Sequence, residues 1–174
     1  MYKVSNIIKG AATVVFGGAP LGYTRDATVI SPESENFTID DIQQIIGVAD
    51  VRRTKFKTMV KVNLYEATLE NIQKTWGLNS SVQIIPGGGK SLSFNISGDY
   101  PEGELLIYTK GPANVNRTFQ WWSAKLVETG DFPIDAHGAT VIPATFMILT
   151  HPDHDDLGIA SEEYSPSGTV QEYY

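Results

Sequence analysis

The chain has 174 residues, 41% of them hydrophobic and 19% charged. That is enough apolar material for the core of one domain and too much for wholesale disorder. Cysteine is absent, which excludes a disulfide scaffold, thiolate zinc and iron–sulfur centres and a cysteine nucleophile. The net charge of −7 is concentrated in residues 151–174, which carry Asp153, Asp155, Asp156, Glu162, Glu163 and Glu172 and no Lys or Arg. This argues against a general nucleic-acid binder, which needs a basic excess. No apolar run approaches the roughly 20 residues of a membrane span. The segment Met1-Tyr2-Lys3-Val4-Ser5 lacks the basic-then-apolar pattern of a secretory signal, so no membrane partner is expected.

In chain order, residues 1–12 read as an N-terminal arm, 13–150 as a β domain and 151–174 as an acidic tail, mobile or ordered by a partner. Thr13–Phe16 and Tyr23–Ile30 form a hairpin around Gly17-Gly18-Ala19-Pro20, closed by Ser31-Pro32. Residues 31–51 are a long excursion with some strand character: Phe37 and Ile39 alternate with polar residues, whereas Ile42, Ile45 and Ile46 are closer to helical spacing. Thr54–Leu64 is the clearest strand. Its even positions are mostly apolar, and Arg53, Lys55, Lys57 and Lys61 lie on the opposite face. That basic face is foremost a solvated surface that resists edge pairing, next a contact for an acidic neighbour, and last a nucleic-acid contact.

One helix is expected at about 64–76. Asn63 and Glu66 have capping-box spacing, Tyr65, Leu69, Ile72 and Trp76 share a face, and Gly77 suits the position after the last turn. Further strands are expected at Val82–Ile85, Leu92–Ser97, Glu104–Thr109, Arg117–Glu128 and Thr140–Thr150, separated by Gly/Pro turns. Pro143 marks an edge position or a bulge. The fold class is therefore mainly β: an antiparallel β-sandwich or partial barrel with one flanking α-helix.

Two stretches imitate chemistry. Pro86-Gly87-Gly88-Gly89-Lys90-Ser91 looks like the end of a phosphate loop. However, Ile84 stands where the first glycine belongs, and a strand-like pattern follows instead of a helix, so a hairpin turn is the reading. His151, Asp153, His154 and Asp155 are metal-ligand types. Their spacing matches no catalytic motif, Pro152 interrupts them and they follow the last strand, so a solvated turn is expected, with an ion site as the alternative. Trp121 and Trp122 point to opposite faces of their strand: one suits the core, and Trp122 is a candidate surface anchor.

Three stretches, in this order, resemble phage tail tube proteins. The first is Phe37-Thr38-Ile39-Asp40 with Ala49-Asp50-Val51-Arg52-Arg53-Thr54-Lys55. The second is Val62-Asn63-Leu64-Tyr65-Glu66-Ala67-Thr68-Leu69-Glu70-Asn71-Ile72. The third is Ala139-Thr140-Val141-Ile142-Pro143-Ala144-Thr145-Phe146 with His151-Pro152-Asp153. Gly10–Phe16 and Leu21-Gly22-Tyr23-Thr24 fit the family's opening. The resemblance spans most of residues 10–155. It implies a structural virion protein, assembled in the host cytoplasm, whose six-membered rings stack into the tail tube. DNA passes through the lumen without specific binding, no cofactor is used and no catalysis occurs. The implied partners are other copies of the chain and other tail proteins such as sheath, terminator, baseplate or tape measure. Candidate subunit contacts are Phe37, Ile39, Ile42, Ile45, Arg53, Lys55, Lys57, Lys61 and Trp122.

The 151–174 extension leaves open a terminator or connector-ring protein of similar fold. Two readings from other classes compete. One is a β-sandwich ligand-binding module using Trp121, Trp122 or tyrosines as a platform, and the other is a small metal-dependent hydrolase centred on His151 and Asp155.

Overall fold

The computed structural model describes residues 12–39, 50–95, 99–110, 115–132 and 140–164. Among these described residues, ten strands and one short helix follow in chain order: β1 (Thr13–Phe16), β2 (Ala19–Tyr23), β3 (Val29–Ile39), β4 (Asp50–Leu64), α1 (Leu69–Thr75), β5 (Gln83–Ile85), β6 (Gly89–Ser91), β7 (Glu102–Lys110), β8 (Val115–Glu128), β9 (Ile142–Leu149) and β10 (Gly158–Tyr164). The fold is mainly β with one helix, as expected. The large sheet runs β2-β1-β7-β8-β9-β4-β3, with β10 added to β8.

This sheet curls on itself. Beyond the β1–β2 hairpin the chain crosses to β4, where Thr24 bridges Leu64. The Tyr65 amide donates to the Tyr23 carbonyl at 2.8 Å and the Arg25 amide to the Asn63 carbonyl at 2.9 Å. β2 and β4, five steps apart in the sheet, are thus joined, and the result is a partial barrel. Its interior is filled by residues of β1, β2, β4, β7, β8 and β9: Val14 and Phe16, Leu21, Val60, Val62 and Leu64, Leu105 and Ile107, Leu126, and Ile142, Ala144, Phe146 and Ile148. The Phe16 and Phe146 rings meet across it at 4.9 Å.

The alternation expected for Thr54–Leu64 holds from Thr58 to Leu64. Phe56 is 46% exposed because the core face ends where β9 stops pairing, at Met59. The strand itself is longer than its apolar pattern. It begins at Asp50, and β3 accompanies it from Val29↔Lys61 to Ile39↔Asp50. Ser31-Pro32 therefore does not end a strand. β3 is the last strand of the sheet, so the missing N–H of Pro32 costs no ladder bond on its outer side. The first half of the supposed 31–51 excursion is thus regular strand. Ile42, Ile45 and Ile46 lie outside the described residues, as does most of the N-terminal arm.

The helix is shorter than expected, at seven residues. Asn63 belongs to β4 and its side chain donates to Asp26, so it caps nothing. Thr68 is the cap, accepting from the Asn71 amide at 3.1 Å. Tyr65, outside the helix, is exposed. So short a helix is unstable alone; tertiary contacts hold it. Ile72 enters the core, and the buried Asn71 donates to the Leu21 carbonyl at 2.9 Å and the Glu66 carbonyl at 2.8 Å. Gly77 has φ of +61° and supplies the left-handed residue expected there.

The glycine-rich stretch is a hairpin turn. Gln83–Ile85 pairs with Gly89–Ser91, and Gly87 and Gly88 take positive φ between them. The strand expected at Leu92–Ser97 is replaced by this shorter β6. Pro143 lies in an interior strand, but β8 reaches β9 only from Thr145 to Leu149. At Pro143 the ladder described is with Asn63 of β4, so the proline occupies a local edge.

The largest correction concerns the tail. Gly158–Tyr164 is a strand, antiparallel to β8 from Trp121 to Val115. It continues the line of β9, which pairs β8 from Glu128 to Ser123. β9 and β10 are in effect one strand interrupted by residues 150–157, and Trp122 stands opposite the interruption. A strand with no buried face has no hydrophobic period to read: Ile159 is 48% exposed, and residues 159–163 are all exposed.

Candidate assembly surface

Two features carry the sequence-derived candidates. The first is the β3–β4 hairpin. β9 reaches β4 only over Met59–Leu64, so residues 50–58 run on for roughly 30 Å beside β3 alone among the described strands. Along this length the register places Glu33 opposite Lys57, Glu35 opposite Lys55, Asn36 opposite Arg53, Phe37 opposite Arg52 and Ile39 opposite Asp50. The Lys57 Nζ lies 4.0 Å from a Glu33 carboxylate oxygen, both side chains exposed. Such a pair contributes little to stability. Lys61, opposite Val29 and Thr145, is exposed as well. The topology thus collects Arg53, Lys55 and Lys57 on the half of β4 that only β3 pairs among the described strands.

The second feature surrounds Trp122. Opposite β7, β8 carries a bulge: Leu105 pairs with Trp121 and Gly103 with Ala124, so Trp122 and Ser123 together face Glu104. Alternation therefore changes phase, and Trp121 and Ala124 both enter the core. Trp122 faces outward, where the His154 ring stacks on it at 4.0 Å with 7° between planes. The Trp122 Nε1 donates to Asp156 Oδ1 at 2.6 Å. The His151 ring lies 5.2 Å from that of His154, and the His154 amide donates to the His151 carbonyl. The 150–157 loop is therefore folded over one tryptophan.

This geometry answers the metal-ligand run. His151 Nδ1 accepts from the Asp153 amide at 3.2 Å, and His154 is engaged face-on with indole. Among the described residues no three His, Asp or Glu side chains are grouped to hold a metal ion. Asp155 is exposed, and the hydrolase reading finds no constellation in the described part of the chain. Nor do Trp121 and Trp122 form an open platform: one is in the core and the other is covered by His154.

Sequence reasoning missed the Asp156–Trp122 bond and β10 with its ion pair. Arg117 Nε donates to Glu162 Oε1 at 2.7 Å, and the guanidinium Nη2 contacts the same oxygen. No signal in the chain marked either, because both depend on strand register.

A cleft of about 560 Å³ opens between the 24–30 crossing and the β7–β8 wall. It is lined by Ala12, Thr24, Thr28, Ile30, Ile107 and Phe119 among others. The Thr28 hydroxyl is buried there with no hydrogen-bond partner among the described residues. No helix of the described residues is long and apolar enough to cross a membrane. In comparisons with known proteins, no family model and no curated sequence matches this chain.

Proposed function

We propose that this chain is a structural subunit of a phage tail tube, forming hexameric rings that stack into the conduit for the genome. The observation that carries the reading is the far half of the β3–β4 hairpin, residues 50–58 of β4, which no third described strand pairs. Two strands alone are marginal in water, so this half lacks a neighbour within the described chain. A neighbouring subunit would cover it and remove its edges. The sequence stretches that resemble the tube family fall on β3 and β4, on the β4-to-α1 junction and on β9 with its following loop. Net acidity also suits a passage that must not retain phosphates. The chain acts without catalysis in this reading, and its partners are its own copies and other tail proteins.

Negative-stain electron microscopy across a protein concentration series, with light scattering on the same samples, tests it. Hollow rings or tubes with six-fold end views are expected. A chain that stays monomeric at every concentration, also when mixed with preformed tail initiator complex, would sink the reading. The cleft beside Thr28 favours a second reading, a β-sandwich binding module for a small ligand with apolar and hydroxyl-accepting parts.

A further inference from the structure

A gap in the sheet separates two unpaired strand edges of the same chain. β4 runs beside β9 until Met59 meets Met147, and then continues to Asp50. On β8, Leu149 of β9 stands opposite Ser123, and Gly158 of β10 stands opposite Trp121. β10 therefore takes up the line that β9 leaves, and the gap lies between it and residues 50–58 of β4. Among the described strands neither rim has a ladder across the gap. The rims differ in charge. Residues 50–58 carry Arg52, Arg53, Lys55 and Lys57 against Asp50, whereas Gly158–Tyr164 carries Glu162 and Glu163 and no Lys or Arg. β9 is antiparallel to both β8 and β4, and β10 is antiparallel to β8. β10 and β4 are thus antiparallel as well, the arrangement that β9 already uses with β4.

We infer that this gap is a seam that closes within one chain: the outer edge of β10 pairs with residues 50–58 of β4 and prolongs the β9–β4 ladder. Closure gives partners to two rows of backbone N–H and C=O groups. A strand inserted from another molecule fits less well, because it would run parallel to one of the two rims. The opposed charges draw the rims together, so low ionic strength favours the closed state and added salt opposes it. The seam is independent of the tube reading. In either state the outer edge of β3 is left for a neighbouring copy.

The test uses protein diluted until light scattering reports a monomer. In the unaltered chain, hydrogen exchange reads the alternate amides of residues 158–164 that point away from β8. At about 0.01 M salt, where charges act over about 30 Å, these amides should be protected. At about 1 M, where the range is about 3 Å, they should exchange about tenfold faster. The chain has no native cysteine, so engineered thiols give a second readout. Ala160→Cys is combined in turn with Arg52→Cys, Arg53→Cys and Thr54→Cys, consecutive positions on the facing rim. A disulfide needs Cα atoms within about 7 Å, which adjacent strands provide and an open gap does not. At least one pair should oxidise to a linked monomer, at a rate independent of protein concentration and slower in high salt. Ala160→Cys with Ser34→Cys, which lies on β3 beyond β4, should not. Circular dichroism checks that each variant folds, and the exchange measurement needs no variant. Amides that exchange freely at both salt concentrations, or thiols that link only between chains, overturn the seam and leave the tube reading intact. Protection unchanged by salt overturns the role given to the charges.

Discussion

At Trp122 two backbone irregularities meet: the bulge of β8 against β7, and the interruption between β9 and β10. One side chain spans both, since its indole is stacked by His154 and held at Nε1 by Asp156. Stacked aromatic pairs contribute about 0.5–1.5 kcal/mol beyond the area they bury. Replacing His154 by Ala should therefore loosen the 150–157 loop by that amount. Amide exchange in the loop would speed up by up to about tenfold, while the global denaturation midpoint stays unchanged, because no core residue is touched. Tryptophan emission offers a second readout of the same loss. Unaltered exchange would mean that the stack does not hold the loop. The tandem tryptophans were legible as one inward and one outward residue, since period two requires it. The partner of the outward one was not, because His154 is brought to it by the return of the chain to β8.

Among the elements, β10 depends most on backbone fit. A Cβ on Gly158 would press into the Gln120 carbonyl and lie 2.9 Å from the Trp121 Cα, both rigid main-chain atoms. Gly158→Ala should lift β10 from β8 at a local cost of about 1–3 kcal/mol, as overpacking does. Faster exchange confined to residues 158–164 is the expected signature, and protection equal to that of the unaltered chain would refute it.

The β5–β6 hairpin is tied to α1 differently. Lys90 Nζ lies 2.6 Å from Glu70 Oε1, and this hydrogen bond, aided by a backbone bond, holds the Glu70 carboxyl below its ordinary value of 4.5. A depressed carboxyl stabilises the fold above its unfolded value and loses that contribution as the pH falls through its folded value. A thermal melt of Lys90→Met should thus lie below that of the unaltered chain at neutral pH. The two should converge as the solution is acidified through and below 4.5. A gap that persists in acid would assign the effect to packing rather than to the ion pair. The helix itself shows where local rules lose to tertiary ones. The Asn63–Glu66 spacing imitates a cap, but extending β4 to Leu64 satisfies more backbone groups and buries Leu64, so the helix starts only at the next competent cap, Thr68.

For the molecule as a whole, closure of the sheet decides the core. Phe146 has no exposed surface and meets Phe16 across the barrel. Phe146→Ala should cost about 3–5 kcal/mol in denaturant unfolding, against a domain stability of typically about 5–15 kcal/mol. A loss under about 1 kcal/mol would place Phe146 outside the cooperative core. The residues by themselves determined the β class, the single helix, the inward face of β4 from Thr58 to Leu64 and the turn at Gly87-Gly88. Each follows from side-chain period or from backbone freedom within a few neighbouring residues. Only the tertiary structure decided that β3 runs through Pro32, that β10 exists and that Trp122, His154 and Asp156 come together. Those outcomes rest on backbone hydrogen bonds between segments far apart in the chain. A peptide group is the same at every residue and leaves no mark in the sequence.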